Sequence, residues 1–126
     1  ILFTFHQDTP VIEPDMFETI WCAVNRTTRD GKVLGEDEKI SVLEAIKTVT
    51  INAAYQYGEE EIKGSLKAGK NADFIIVDTG AGISDAVLEF PDDRLPVTKA
   101  KEVAKDELRN IKILETIKDG KVIWKI

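Results

Sequence analysis

Few side chains in this sequence are equipped for chemistry. The one histidine, His6, stands two residues before Asp8, and Thr9-Pro10 follows. The one cysteine, Cys22, lies among apolar neighbours. Glu59, Glu60 and Glu61 form an acidic run just before a glycine-punctuated phrase, Gly64-Ser65-Leu66-Lys67-Ala68-Gly69-Lys70-Asn71-Ala72-Asp73. Each has an ordinary structural reading. Asp shortly before Pro is a common turn or cap residue. A histidine on its own falls short of the three protein ligands of a catalytic zinc site, and one cysteine does not make up the number. A free cysteine on an apolar helix is core filler. A charge run is a solvated loop before it is a cation site. Trp21 and Trp124 read as packing residues. Ser41 reads as a helix cap, and no Gly-x-Ser-x-Gly elbow is present.

The phrase at 64–70 satisfies G-x-x-x-x-G-K, the opening of a phosphate-binding loop. That motif continues with Ser or Thr for the metal, and it sits between an apolar strand and a helix. Here Asn71 follows Lys70, the charged stretch Glu59 to Lys63 precedes, and the β-branched run Phe74-Ile75-Ile76-Val77 comes after. No helix N-terminus is available to meet a phosphate. The phrase reads instead as a turn that delivers the chain into a strand.

Composition narrows the classes further. The chain has 126 residues, 43% hydrophobic and 32% charged, with a net charge of −6. That suits one soluble globular unit burying roughly two-thirds of its unfolded surface. Acids outnumber bases in both halves, which argues against a nucleic-acid partner. No apolar run approaches the ~20 residues of a membrane helix, so no membrane partner is expected. A single cysteine excludes an internal disulfide and fits a reducing compartment such as the cytoplasm.

The elements that must position these residues follow from pattern. Ile1-Leu2-Phe3-Thr4-Phe5 has the length and composition of a buried strand. Asp15 opens a helix with Met16, Ile20, Ala23 and Val24 at helical spacing, stopping near Asn25 to Thr28. Ser41 and Glu44 form a capping box that starts a second helix running to about Tyr57, ended by Gly58. Strands are expected over Ala72–Val77, Ile111–Ile117 and Lys121–Ile126, with Asp119-Gly120 as the hairpin turn between the last two. Between 79 and 110 a loop and a surface helix at Lys99–Leu108 are expected. The favoured boundary falls between Tyr57 and Gly64, giving units 1–57 and 58–126. The fold class is α+β. The order is odd for an independent domain. Its first strand has no sequence-near partner, and a fully apolar strand needs neighbours on both sides. Three further strands make a thin sheet with two open edges. Something is missing from such a fold.

At this point the sequence resembles a known family. Phe5-His6-Gln7-Asp8-Thr9-Pro10-Val11 resembles the end of the eighth barrel strand of amidohydrolase-superfamily enzymes, which terminates in an aspartate often followed by x-Pro. Ala23-Val24-Asn25-Arg26, Ser41-Val42-Leu43-Glu44-Ala45 and Thr50-Ile51-Asn52-Ala53-Ala54 follow in the family's order. The phrase at 64–73 resembles its G-S-x-x-x-G-K-x-A-D motif. Ile113 to Trp124 resembles its closing T-x-x-x-G-K-hydrophobic hairpin. The resemblance covers about 1–78 and 111–126 and is nearest to amidohydrolase family 3; residues 79–110 are longer than the linker that pattern leads one to expect.

The resemblance implies the last strand and helices of a (β/α)8 TIM barrel, followed by part of a composite β-sandwich. It implies that the chain is the closing part of a longer metal-dependent hydrolase acting on a C–N bond of a small-molecule substrate. Asp8 would then be the site residue, both catalytic and metal-contacting. The cofactor would be a divalent metal, zinc by family habit, held in the intact enzyme by histidines on earlier strands. No tight metal binding is expected of this chain alone. The expected partner is the remainder of the barrel or another copy of the chain. Two other readings stay open: a non-catalytic β-domain, and a small interaction protein related to the family's tail.

Overall fold

Helix α1 spans Met16–Asn25 because its first turn is capped and its stripe is apolar. Asp15 is the N-cap, and its Oδ1 accepts from the amides of Phe17 and Glu18 at 2.9 and 3.2 Å. The helix stops where Arg26 turns left-handed at φ 51° and its N–H returns to the Cys22 carbonyl. The Arg26 side chain then pins the following loop, donating to the Leu34 carbonyl and pairing with Glu38. The computed structural model describes residues 1–79 and 107–126.

The helix expected from Ser41 to Tyr57 is two helices: α2 at Val42–Thr48 and α3 at Ile51–Gln56. Its start is as expected, a capping box in which Ser41 and Glu44 satisfy each other's amides. The interior fails at Thr48-Val49-Thr50. β-branched side chains crowd the preceding turn, and threonine hydroxyls compete for helix carbonyls. The Thr48 hydroxyl donates to the Ala45 carbonyl at 2.6 Å, and the Thr50 hydroxyl to that of Ile46 at 2.8 Å. Thr50 leaves helical geometry at φ −126°, ψ −96°.

A second departure lies at the start of the chain. Ile1–Phe5 forms no strand. A strand is stabilised by its ladder, and the described residues offer no ladder partner here. The segment is tied to α3 instead. The Asn52 side chain donates to the Phe3 carbonyl at 3.1 Å, and the Thr4 hydroxyl to the Gln56 side chain at 2.9 Å.

The glycine phrase is folded around Lys70. Its ammonium donates to the Ser65 hydroxyl and to the carbonyls of Glu60 and Lys63. The lysine that a phosphate loop would aim at a nucleotide is committed to its own backbone, and a strand follows it. The acidic run before it behaves as a loop, with Glu59 paired to Lys63.

The chain then enters an antiparallel sheet in the order β1-β2-β3, with β1 at Phe74–Asp78, β2 at Lys112–Lys118 and β3 at Lys121–Lys125. The Asp119-Gly120 turn has φ 49° and 73°, both in the left-handed region that a two-residue hairpin requires. Asp73 holds the turn from below by accepting the Asp119 amide at 2.8 Å. The pairing along β2 is not regular. The register slips at Ile76/Val77 and at Thr116/Ile117, leaving Leu114 and Ile123 as extra residues.

The core gathers Ile20 and Val24 from α1, Ala45 from α2 and Leu108. Leu108 is only 1% exposed and sits in a short 3-10 turn, Leu108–Asn110. The surface helix expected at Lys99–Leu108 lies, up to 106, outside the described residues, and its end is core. The sheet is far more open: Val122, Ile123 and Trp124 are exposed, so Trp124 does not pack as expected. Among the described residues, no helix is long and apolar enough to cross a membrane.

Gly64 gives the sharpest test of this packing. It has φ 86°, and a Cβ there would stand 2.7 Å from that of Ala54 and 3.0 Å from the Ile51 Cα. Gly58, at φ 69°, faces open space. Gly58→Ala should cost about 1 kcal/mol, for left-handed geometry alone. Gly64→Ala should add about 1–3 kcal/mol of overpacking. Urea denaturation midpoints measure both, and equal shifts would contradict the close approach of the phrase to α3.

Candidate functional site

Asp8 sits in a turn rather than at a strand end. Its φ is 57°, a left-handed conformation that Asp tolerates better than most residues. Its amide donates to His6 Nδ1 at 3.1 Å, and its carbonyl accepts from the Val11 amide at 2.9 Å, with a cis Thr9–Pro10 peptide between. The Asp8 side chain is exposed, and it makes no hydrogen bond or ion pair among the described residues. A free carboxylate of this kind is available as a proton acceptor or a ligand oxygen.

Between exposed His6 and exposed Asp8 stands a buried residue that pattern did not single out. Gln7 is 7% exposed. Its Nε2 donates to the Thr19 hydroxyl at 2.8 Å and approaches Met16 Sδ at 3.4 Å. Thr19 in turn donates to the carbonyl of the helix cap Asp15. The turn carrying Asp8 is thereby fastened to the first turns of α1. The only hint in the sequence was a polar residue facing a helix that offers a threonine on its buried side.

His6 stands beside Asp8 in the chain but lines an open cleft with Phe3, Phe5, Ile12 and Cys22. Its Nδ1 is already an acceptor for the Asp8 amide, which leaves Nε2 as its free nitrogen. Among the described residues, no three His, Cys, Asp or Glu side chains gather to hold an ion.

Cys22, exposed rather than the core filler its apolar neighbours suggested, also belongs to a second group. Arg109 places a two-pronged hydrogen bond on the Glu18 carboxylate, and its guanidinium carbon lies 3.3 Å from the centre of the Trp21 ring. Cys22 Sγ lies 3.8 Å from Glu18 Oε1. Partial burial raises the thiol above its usual range, and the Glu18 charge adds to that; Arg109 pulls the other way. Glu18 also holds the Arg109 guanidinium above its usual value. This cluster joins the 3-10 turn to α1. Trp21 thus serves as the base of a clasp, a role consistent with packing.

Comparison with known proteins gives this arrangement a setting. The amidohydrolase family model matches residues 1–124. An N-substituted formamide deformylase of Arthrobacter pascens is 34% identical over 103 residues, 82% of this chain. No solved structure matches. The chain belongs to the amidohydrolase family, in its family 3 branch. It spans 16% of the length of that deformylase.

The electrostatics of Cys22 make a prediction with a definite sign. The thiolate is the reactive form, so a raised pKa moves reactivity to higher pH. At about pH 8, near the ordinary thiol pKa, Cys22 should alkylate with iodoacetamide more slowly than a small free thiol. Glu18→Gln removes an upward cause and should raise the rate. A rate unchanged or lower in that variant would break the link between Glu18 and Cys22.

Proposed function

We propose that this chain forms part of a larger metal-dependent hydrolase that cleaves a C–N bond, in which Asp8 is the proton carrier. The reading rests chiefly on one observation. The family match spans residues 1–124, Asp8 and the glycine phrase included, and Asp8 lies on a turn fastened to a helix with its carboxylate unpaired among the described residues. The activity for which the Arthrobacter pascens relative is named, deformylation of N-substituted formamides, supports an amide-type C–N bond as the target.

The donor set bears on the metal. A carboxylate with no partner among the described residues suits a hard or borderline divalent cation, and zinc accepts Asp oxygen. Asp8 would hold it in company with histidines from outside this chain. When bound, the metal supplies water acidic enough to lose a proton near neutral pH. Asp8 accepts that proton as the water oxygen bonds to the carbonyl carbon. It returns the proton to the departing nitrogen as the C–N bond breaks, so the products are a carboxylic acid and an amine. In this reading the segment 1–5 becomes the last strand of a (β/α)8 barrel when its neighbours are present. Other strands of the intact protein cover the sheet as a composite sandwich. Exposed Ile75, Ile123 and Trp124 support a covered sheet.

Asp8→Asn keeps shape while removing the proton acceptor. In the intact hydrolase, with an N-alkylformamide as substrate, turnover should fall at least ~100-fold, the low end for a positioned general base. Full turnover would remove Asp8 from the mechanism. The 126-residue chain by itself should show no zinc binding in the submicromolar range by calorimetric titration, for want of histidine ligands. A stoichiometric, submicromolar site would mean the metal lies elsewhere.

A further inference from the structure

We infer that Gln7 is a positioning residue for Asp8, acting through its hydrogen bond to Thr19. The inference rests on the proposed role of Asp8 and adds to it the means by which the carboxylate is aimed.

Three consecutive residues carry the argument. His6 is exposed, Gln7 is buried and Asp8 is exposed. A buried amide requires partners, because a primary amide taken out of water unpaired costs several times what the paired one gains. Among the described residues Gln7 finds them on α1: Thr19 Oγ1 at 2.8 Å and Met16 Sδ at 3.4 Å. Turning Gln7 inward sends its neighbours outward. It also fixes the point from which the left-handed Asp8 departs. Nothing else fastens the Asp8 side chain, whose carboxylate has no partner among the described residues. The remaining contacts of the turn are local: the Asp8 amide to His6, the Val11 amide to Asp8, and the Thr9 hydroxyl to the Ile12 carbonyl. They shape the turn without locating it. The Gln7–Thr19 bond, continued from Thr19 to the Asp15 carbonyl, locates it on the capped end of a helix. A carboxylate displaced by about 1 Å loses on the order of 100-fold in rate, so an anchor of this kind governs turnover.

The test uses substitutions at both ends of the bond in the intact hydrolase. Thr19→Val keeps the branched shape and loses the hydroxyl. Thr19→Ser loses a methyl group and keeps it. Gln7→Leu keeps much of the volume and loses the amide. Thr19→Val and Gln7→Leu should lower kcat on an N-alkylformamide by about 10- to 100-fold, with KM changed less than kcat. Thr19→Ser should recover most of the loss. A packing role would order the threonine variants the other way. Hydrogen exchange at the Val11 amide, which reports the turn without any substrate, should be faster in Thr19→Val and Gln7→Leu than in wild type and Thr19→Ser.

Wild-type kcat in both Thr19→Val and Gln7→Leu, while Asp8→Asn is inactive, would overturn the positioning role and leave the Asp8 reading standing. If Asp8→Asn is fully active, the Asp8 reading fails and the positioning role fails with it. In that case faster Val11 exchange would show only that Gln7 anchors the turn. Unchanged Val11 exchange in both variants overturns the inference whatever the kinetics. If Gln7→Leu does not fold, the Thr19 pair decides alone.

Discussion

Leu108 is the contact on which the arrangement of the two halves depends. It comes from the far side of residues 80–106, yet it is buried with Ile20, Val24 and Ala45. A leucine buried to this degree contributes roughly 1.5–3 kcal/mol. In a core of four fully packed residues that is a large share. Its neighbour Arg109 adds direction to the attachment. Hydrophobic burial is not directional, but a forked bond to Glu18 over the Trp21 face admits one orientation. Because the 3-10 turn at Leu108–Asn110 and strand β2 are only one residue apart, docking Leu108 on α1 also fixes where strand β2 begins.

The opposite end of the sheet is fixed by polar means. Ala72 accepts the Gly120 amide and Asp73 accepts that of Asp119, so the hairpin tip is held by the residues that lead into β1. Those residues follow directly from the glycine phrase, where Lys70 gathers carbonyls and Gly64 lies against α3. The two halves are therefore joined twice: by an apolar plug with an ionic clasp, and by a glycine contact backed by a lysine hub. Between these joints the sheet spends little apolar area on its own chain. That explains how a well-formed hairpin coexists with exposed Ile75, Val122 and Trp124.

What could be read from the sequence was what local chemistry decides. Asp15 and Ser41 mark helix starts because a side-chain oxygen satisfies first-turn amides wherever the helix packs. Asp119-Gly120 marks a hairpin because few residues accept two left-handed conformations in succession. Ile1–Phe5 forms no strand here, because apolar, β-branched composition predicts burial, whereas a strand needs ladder partners that composition cannot supply. The break at Thr48–Ile51 was missed because apolar periodicity continues through it while threonine hydroxyls draw off the carbonyls. Leu108 and Arg109 were out of reach for another reason. Their partners are some ninety residues away in sequence, and no periodicity connects positions so far apart. Asp8 was singled out through family resemblance alone, and Gln7 carried no pattern of its own.

The placement of Asp8 also bears on why a carboxylate would be carried by such a turn. A residue in the middle of a ladder has its backbone fixed by neighbouring strands and needs no side-chain anchor. Asp8 lies in no ladder among the described residues, and its left-handed conformation is shaped by the contacts of its own turn. Freedom there is useful to a group that must reach an outer ligand, and costly to one that must hold a proton at a set distance. On the role proposed for Asp8, burying the preceding side chain reconciles the two demands. The amide of Gln7 is spent on α1, so the backbone at residue 7 is held while the carboxylate at residue 8 stays unpaired among the described residues. An aspartate paired within this chain would be better ordered, but its oxygens would already be occupied. The observed division, with one polar side chain sacrificed to the helix and the next left open, keeps both position and chemistry available at the same turn.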